Sequence, residues 1–261
     1  MFWTRVASGV VLAPLFLALV YWEKPYFHIM VAAIAGIMAY EFLRMDGKAG
    51  PKRQGLAIAG IVAAVLAMTF VSATAALALG ATVGLAGIVS DKAAGRKERH
   101  VAQIAVPYVL LPALSLLHLM DVGGAQSVFW LLAVIWATDI GAYICGRLIG
   151  GPKLAPAVSP KKTWSGAVGG LIWAVIASSG VYWAYQGAFV PSIAAIAGLL
   201  SVISQAGDLF ESSLKRRYDV KDSGALIPGH GGLMDRFDGL WAAAPFAAVF
   251  CVILGGGVQH W

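Results

Sequence analysis

Six of the chain's 13 acidic residues fall within positions 208–238, together with five cations and His230. Asp208 ends one apolar run, and Asp235 and Asp238 stand three apart at the start of the next. If the runs are consecutive antiparallel helices, residues three or four apart share a helix face, and the two acidic faces meet. Neighbouring carboxylates repel one another unless a cation lies between them, and hard oxygen ligands suit Mg²⁺. The pattern predicts that Asp208, Asp235 and Asp238 bind magnesium.

Two further features of this stretch indicate phosphate chemistry. If the first helix continues past Asp208, Glu211 and Lys215 lie on the same face, three and seven residues further on. The segment 228–232, PGHGG, is a turn whose bare backbone amides can approach an anion. A merely solvated loop would also carry mixed charges, but the features together favour a site for a metal ion and a phosphate group.

Asp139 is an acidic residue about two turns inside another apolar run, which ends at Arg147. A carboxylate at mid-membrane costs roughly 2.5–3.5 kcal/mol unless it is paired or faces water. Tyr143, four residues on, shares its helix face. Asp139 therefore either belongs to a polar site or makes a structural hydrogen bond to a neighbouring helix.

The segment SPKKTW, which begins at Ser159, places Lys161 and Lys162 just before a further apolar run. Adjacent lysines ahead of a helix start can hold a polyphosphate, because the amino-terminal helix dipole also favours an anion there. The alternative is that these lysines only set the orientation of the helix in the membrane.

Membrane-spanning helices must position these residues. The chain is 59 % hydrophobic and 12 % charged, whereas soluble proteins average about 45–50 % and about 25 %. About 20 apolar residues cross a bilayer, which predicts an all-α polytopic protein with about nine transmembrane helices. The longest uncharged stretch, 54–90, would form about 55 Å of helix, so we expect it to divide near Val71. The predicted spans are 5–22, 26–43, 55–71, 73–90, 101–120, 127–147, 166–186, 189–207 and 239–257.

The distribution of basic residues supports this count. With a cytoplasmic amino terminus and an outer carboxyl terminus, nine spans place 18 of the 19 Lys and Arg residues in the cytoplasm, as the positive-inside rule requires. Only Lys24 falls outside. The chain then divides into about five amino-terminal helices, 1–120, and catalytic helices, 121–261, with cytoplasmic loops 148–165 and 208–238. These features predict a bacterial-type inner membrane and an active site on its cytoplasmic side.

Other features exclude several classes of protein. Cys145 and Cys251 lie in apolar runs and form neither a disulfide framework nor a zinc cluster. The net charge of +6 is explained by orientation and by attraction to anionic membrane lipids, and we expect no nucleic-acid partner. The first apolar run is long for a signal peptide and is predicted to be retained. Small residues such as those at 166, 169 and 170 suit close helix packing, within one chain or in a homodimer.

The stretch from Ser212 to Asp238, SSLKRRYDVKDSGALIPGHGGLMDRFD, resembles the signature of the CDP-diacylglycerol synthase (phosphatidate cytidylyltransferase) family and fills all its fixed positions. The segments GDLFES at 207–212, DIGAYICG at 139–146 and SPKKT at 159–163 are also similar to this family. The likeness covers about 120 residues of the carboxyl half. Arg5 and Glu41 match family positions in the amino half, whereas Ser165 stands where the family usually has Glu.

The resemblance implies that CTP and phosphatidic acid react to give CDP-diacylglycerol and pyrophosphate, for phospholipid biosynthesis. It implies Mg²⁺ at Asp208, Asp235 and Asp238, with room for a second cation, divalent or K⁺. His230 would protonate or hydrogen-bond the leaving pyrophosphate or serve the turn structurally. The residues implied to neutralise or orient the substrates and metal are Lys161, Lys162, Lys215, Arg216, Lys221, Arg236, Ser159, Asp139, Tyr143 and Asp222.

Two rival functions fit part of the pattern. A polyprenol or phytol kinase also uses CTP and a membrane lipid, but it would need a general base for a hydroxyl acceptor. An ion-coupled transporter could use Asp139 and Asp208 as an ion path, but it would need polar residues through the outer halves of the spans, which carry almost none. A CDP-alcohol phosphotransferase is disfavoured, because its Asp-Gly-x-x-Ala-Arg element is absent.

Overall fold

The computed structural model describes residues 2–45, 50–93, 101–224, 226 and 231–261. Its class is all-α, as predicted. The elements, in chain order, are α1 (Phe2–Tyr21), α2 (Tyr26–Met45), α3 (Pro51–Phe70), α4 (Ala73–Ala93), α5 (Val101–Leu148), β1 (Lys153–Ala155), β2 (Ser159–Thr163), α6 (Trp164–Gln186), α7 (Pro191–Arg217) and α8 (Met234–Leu254), and a short 3₁₀ turn follows at Val258–His260.

Six helices in the described ranges are long and apolar enough to cross a membrane, which makes the chain an integral membrane protein. They are Tyr26–Met45, Pro51–Phe70, Ile104–Leu148, Trp164–Gln186, Pro191–Arg217 and Met234–Leu254, and two shorter apolar helices are Val10–Tyr21 and Ala73–Val89. The exact count of nine spans and the orientation of the termini stay predictions.

Helix breaks occur where the apolar stretches are too long for one crossing. Helix α3 ends at Phe70 and α4 begins at Ala73, as expected near Val71. The hydroxyl of Ser72 accepts a hydrogen bond from the backbone N–H of Ala75 at 3.1 Å and thereby caps α4. Within α5, Gly124 has φ 65° and breaks the helical geometry. The predicted spans 101–120 and 127–147 lie on either side of this break.

The chain forms two compact units. The first unit comprises residues 1–117 and 218–236, and the second comprises residues 118–217 and 237–261. The predicted division into residues 1–120 and 121–261 is a division of function, and it stays a prediction.

Small residues bring the helices of the first unit close together. A Cβ at Gly36 of α2 would lie 2.9 Å from the side chain of Val62 on α3, so the glycine allows this close approach. Phe42 on α2 is completely buried, and its ring centre lies 5.2 Å from that of Tyr108 on α5. The carboxyl end of α2 is thus held in a packed core.

The second unit uses the glycine-rich face of α6 to pack against α5. A Cβ at Gly166 would lie 2.9 Å from the carbonyl oxygen of Ala142, and one at Gly170 would lie 2.8 Å from that of Thr138. These glycines therefore serve packing within the chain, and they give no support to a homodimer.

Both predicted cytoplasmic loops are more ordered than expected. The segment 148–165 contains an antiparallel β-hairpin, in which Lys153 pairs with Thr163 and Ala155 with Ser159. The segment 208–238 is not wholly a loop, because α7 continues to Arg217 and α8 begins at Met234. Basic residues occupy the last turn of α7, where they interact favourably with the helix dipole and extend the helix beyond its apolar part.

Candidate active site

The hairpin presents two lysines immediately before α6. Thr163 ends β2 with extended backbone angles, and its hydroxyl accepts a hydrogen bond from Gly166 N at 3.1 Å. This cap begins α6 and fixes the preceding strand against it. Lys161 is exposed, and the side chain of Lys162 is 27 % exposed. The predicted position of both lysines just before a helix start is confirmed.

Ser165 stands where the family that the signature resembles usually has glutamate. In the second unit this serine has a structural role. Its hydroxyl donates a hydrogen bond to the carbonyl oxygen of Gly150 and lies 3.0 Å from the hydroxyl of Thr163. The hydroxyl therefore ties the first turn of α6 to the segment that precedes the hairpin.

Lys162 forms an ion pair with Asp208 of α7. Both side chains are about one-third exposed, at 27 % and 32 %. The hydroxyl of Ser212, one turn further along α7, also donates to Asp208 Oδ1 at 3.4 Å. The hairpin lysine and the α7 carboxylate, which are 46 residues apart in sequence, are thus brought together by the fold of the second unit.

Asp238 adds a second carboxylate to this region of the second unit. Its Oδ1 accepts a hydrogen bond from Gly239 N at 2.7 Å, and its charge interacts with those of Asp208, Asp139 and Lys162. A Cβ at Gly207 would lie 3.2 Å from the carbonyl oxygen of Asp238. The absence of a side chain at position 207 therefore lets α7 and α8 approach closely beside the two acids.

The face of α7 beyond Asp208 carries an ion pair within the helix. Lys215 Nζ lies 3.1 Å from Glu211 Oε1, and the Glu211 side chain is fully buried. An internal ion pair of this kind needs its cation, because removing one partner leaves an uncompensated buried charge. Lys215 is thus paired with Glu211, and its role toward a substrate phosphate stays a prediction. Arg216, the next residue, is exposed.

In the first unit, the signature segment is organised around Glu41 of α2. Glu41 is 2 % exposed. Its Oε1 accepts a hydrogen bond from Leu233 N at 2.9 Å, and its Oε2 accepts from Met234 N at 2.9 Å and from Ser223 Oγ at 3.1 Å. In the sequence, Glu41 matches a family position, but nothing there indicates a role for it. The available signal was a carboxylate within an apolar span, which is rarely accidental.

Asp235 is the second acceptor in this network. Its Oδ2 accepts hydrogen bonds from Gly232 N at 2.9 Å and Ser223 N at 3.0 Å. Ser223 Oγ, which also lies within hydrogen-bond distance of Glu41, is 3.0 Å from the same oxygen. One oxygen of this predicted metal ligand therefore holds the signature segment in place.

The other predicted residues have more exposed positions. Lys221, Asp222 and Arg236 are exposed in the first unit, and Asp139 and Tyr143 are exposed on α5 of the second. The Tyr143 hydroxyl accepts a hydrogen bond from Arg147 Nη1 at 2.7 Å. Ser159 begins β2. His230 lies outside the described residues.

Magnesium fits the donor chemistry of the second unit. Mg²⁺ prefers oxygen ligands and is usually held by one or two carboxylates, with water and substrate phosphates at its other positions. Asp208 and Asp238 would supply such carboxylates. Among the residues that the structure describes, no three His, Cys, Asp or Glu side chains converge as a complete metal site.

Comparison with known proteins identifies relatives along almost the whole chain. Residues 3–254 match the model of the cytidylyltransferase family. The phosphatidate cytidylyltransferase of Bacillus subtilis is 32 % identical over 260 residues, which cover 93 % of this chain and 94 % of the relative. That of Rickettsia felis is 31 % identical, with 92 % and 88 % covered. The phosphatidate cytidylyltransferase of Brucella suis is 50 % identical over 144 residues. This match covers 54 % of this chain and 52 % of the relative, so it spans about half the length of that protein.

Proposed function

Because the chain belongs to the cytidylyltransferase family, we propose that it transfers the cytidylyl group of CTP to phosphatidic acid. The products are CDP-diacylglycerol and pyrophosphate. The relatives from Bacillus, Rickettsia and Brucella carry the name phosphatidate cytidylyltransferase, and the signature from Ser212 to Asp238 is complete. The single structural observation that carries the proposal is the pairing of the hairpin lysine Lys162 with Asp208 beside Asp238.

This arrangement suits a reaction between two anions. A phosphate monoester has a second pKa of about 6, so the phosphatidate phosphate is already a nucleophile at neutral pH and needs no strong base. One of its oxygens attacks the α-phosphorus of CTP, and the bond between that phosphorus and the oxygen leading to the β-phosphate breaks, which releases pyrophosphate. Catalysis of phosphoryl transfer rests mainly on positioning and on neutralising charge.

The lysines would bind the nucleotide. Lys162 is neutralised by Asp208 in the structure, and a triphosphate would offer Lys162 a second, more highly charged anion. Lys161 is exposed beside it at the amino end of α6, where the helix dipole also favours a phosphate. We assign Lys161 and Lys162 to CTP, and Arg216, Lys221 and Arg236 to the phosphates of CTP or of the lipid.

The acids would hold the metal. We assign Asp208 and Asp238 to Mg²⁺ because both offer carboxylate oxygens and because their negative charges repel each other, which a cation would relieve. Asp235 is assigned to Mg²⁺ on the sequence pattern. When bound, magnesium would withdraw charge from the phosphate oxygens of CTP and so assist the departure of pyrophosphate. A second cation, divalent or K⁺, belongs to the same proposal on the family resemblance. A homodimer stays a prediction based on the small residues at 166, 169 and 170, which pack within the chain.

The membrane placement is also proposed. Nine spans with the amino terminus inside put 18 of 19 Lys and Arg residues on the cytoplasmic face of a bacterial-type inner membrane. The active site would then open to the cytoplasm, where CTP is available, while the phosphate of the lipid lies at the same surface.

Position-specific labelling of CTP tests the reaction. The purified full chain is incubated with magnesium, CTP labelled at either its α- or its γ-phosphate, and phosphatidic acid, undecaprenol or phytol as acceptor. Cytidylyl transfer requires α-label in the lipid and γ-label in pyrophosphate, with phosphatidic acid alone as acceptor. A γ-label in undecaprenol or phytol would instead identify a kinase, and absence of label from every lipid would leave the transporter alternative.

Asp235→Asn tests the metal assignment in the same assay. We expect it to abolish CDP-lipid formation in a protein that is still folded and inserted. Near-normal turnover of this variant would reject Asp235 as a magnesium ligand.

A further inference from the structure

Glu41 is a buried carboxylate that the proposed mechanism does not use. It lies four residues before Met45, the last residue of α2, and is followed by two buried apolar residues, Phe42 and Leu43. Its side chain is only 2 % exposed. A buried charge is costly unless it is fully hydrogen-bonded. Glu41 meets this requirement with three donors, all of which belong to the signature segment between α7 and α8.

Two of these donors belong to the start of α8. The first N–H groups of a helix have no partner within the helix, and a negative charge there also interacts favourably with the helix dipole. Leu233 and Met234 contribute such groups, and both donate to Glu41 at 2.9 Å. Most helices obtain this cap from a residue of their own amino end. Helix α8 obtains it from α2, almost 200 residues earlier in the chain.

The third donor connects Glu41 to Asp235. Ser223 Oγ lies 3.1 Å from Glu41 Oε2 and 3.0 Å from Asp235 Oδ2. A hydroxyl has one proton, so it donates to one of these carboxylates at a time. Ser223 N provides a separate donor to Asp235 at 3.0 Å. The position of the Asp235 carboxylate is therefore linked to that of Glu41 through one serine.

Two signature glycines make room for the Glu41 carboxylate. A Cβ at Gly224 would lie 2.6 Å from Glu41 Oε1, and a Cβ at Gly232 would lie 2.7 Å from Glu41 Oε2. Both distances are too short for a real contact. The glycines at these two positions are thus explained by the carboxylate that packs against them.

We infer that Glu41 is a positioning residue for the proposed reaction: it holds Ser223 and the start of α8, and through them the carboxylate of Asp235, in one geometry. This inference rests on the proposed cytidylyl transfer. A substitution far from the reacting atoms that misplaces a reacting group by about 1 Å can lower the rate by about 100-fold. Glu41 would thereby affect the chemical step without touching a substrate.

Glu41→Gln is the first test, because it keeps the size of the side chain and replaces one acceptor oxygen with an NH₂ group that faces a donor. We expect kcat for CDP-lipid formation to fall by about 100-fold, with KM for CTP changed by less than about threefold. Glu41→Asp, which retains the charge, should recover part of the loss. Ile61→Ala removes part of a fully buried side chain on α3 and serves as the destabilised control. It should keep the kcat of wild type per folded molecule.

Hydrogen exchange gives a readout that does not depend on activity. In the full chain in detergent, the Leu233 and Met234 amides should exchange about tenfold faster or more in Glu41→Gln than in wild type, because each loses a hydrogen bond to a charged acceptor. Ile61→Ala should not show this local increase. Unchanged exchange in Glu41→Gln would overturn the inference, as would a loss of kcat no larger than that of Ile61→Ala.

The two readouts separate the two proposals. One outcome is that wild type forms no CDP-lipid while Glu41→Gln still speeds the exchange of the Leu233 and Met234 amides. In that case the proposed function fails, and the cap on α8 has no role in that reaction. If wild type is active and Glu41→Gln leaves both kcat and exchange unchanged, only the positioning role of Glu41 is refuted.

Discussion

The Gly232→Ala substitution tests how tightly the signature segment packs around Glu41. The new methyl group would lie 2.7 Å from Glu41 Oε2 and 2.8 Å from Gly224 N, and it would overlap the hydroxyl of Ser223. Gly232 does not have a positive φ, so the effect of the substitution is purely steric. To relieve the overlap, the backbone and side chain of Ser223 must move away.

The cost follows from the hydrogen bonds that Ser223 would lose. Its hydroxyl donates to a carboxylate at 3.0 or 3.1 Å, and its N–H donates to Asp235 at 3.0 Å. A hydrogen bond to a charged group contributes about 1.5–3 kcal/mol, so two such bonds are worth about 3 kcal/mol at the lower limit. For a chain of this size 1 kcal/mol corresponds to about 2–4 °C in Tm. We therefore expect Tm to fall by at least about 6 °C.

Thermal unfolding in detergent micelles, followed by the fluorescence of the chain's 9 Trp residues, measures this change. The matched control is Gly55→Ala, on α3 of the same unit, where a Cβ would have no neighbour within 4 Å. Alanine is favoured over glycine inside a helix by roughly 0.5–1 kcal/mol, so the control should be as stable as wild type or slightly more so. If Gly232→Ala unfolds at the same temperature as Gly55→Ala, the signature segment is not tightly packed around Glu41.

Three further predictions concern the second unit. Lys162→Ala should raise the KM for CTP or lower kcat by about tenfold or more, whereas Lys153→Ala, an exposed change on the same hairpin, should leave the steady-state kinetics near those of wild type. Asp238→Asn should abolish CDP-lipid formation and weaken magnesium binding in calorimetry, and full activity would remove Asp238 from the metal site. Gly170→Ala should lower Tm in detergent, because its Cβ would lie 2.8 Å from a carbonyl oxygen, whereas Gly180→Ala on the same helix meets nothing within 4 Å and should not.

Local sequence signals were sufficient for most of the fold. The hydrophobic runs predicted the helices within a few residues, because each helix must present an apolar surface over about 20 residues. The break near Val71 followed from length alone. The cap that Thr163 gives α6 was not predicted, although it is local in sequence. The extension of α7 to Arg217 was less visible, because its last turns are polar and are held by contacts such as Lys215 with Glu211.

The sequence predicted which residues belong to the candidate site better than it predicted the contacts between them. The lysines of SPKKT and the acids Asp208 and Asp238 were identified from spacing and signature, and the structure brings Lys162 and Asp208 together. Lys215 was expected to neutralise a phosphate, which stays a prediction, and the structure adds a partner that spacing did not identify as buried, Glu211. Spacing shows which residues share a helix face, but it does not show which neighbouring side chain fills that face.

The sequence by itself determined an integral membrane protein with a complete cytidylyltransferase signature, because apolar length and residue spacing are properties of the linear chain. Only the tertiary structure decided that Glu41 caps α8 and accepts a hydrogen bond from the Ser223 hydroxyl. The same is true of the packing of the α6 glycines within the chain. Such contacts join residues far apart in sequence. Their formation depends on how buried polar groups find partners once the helices have packed.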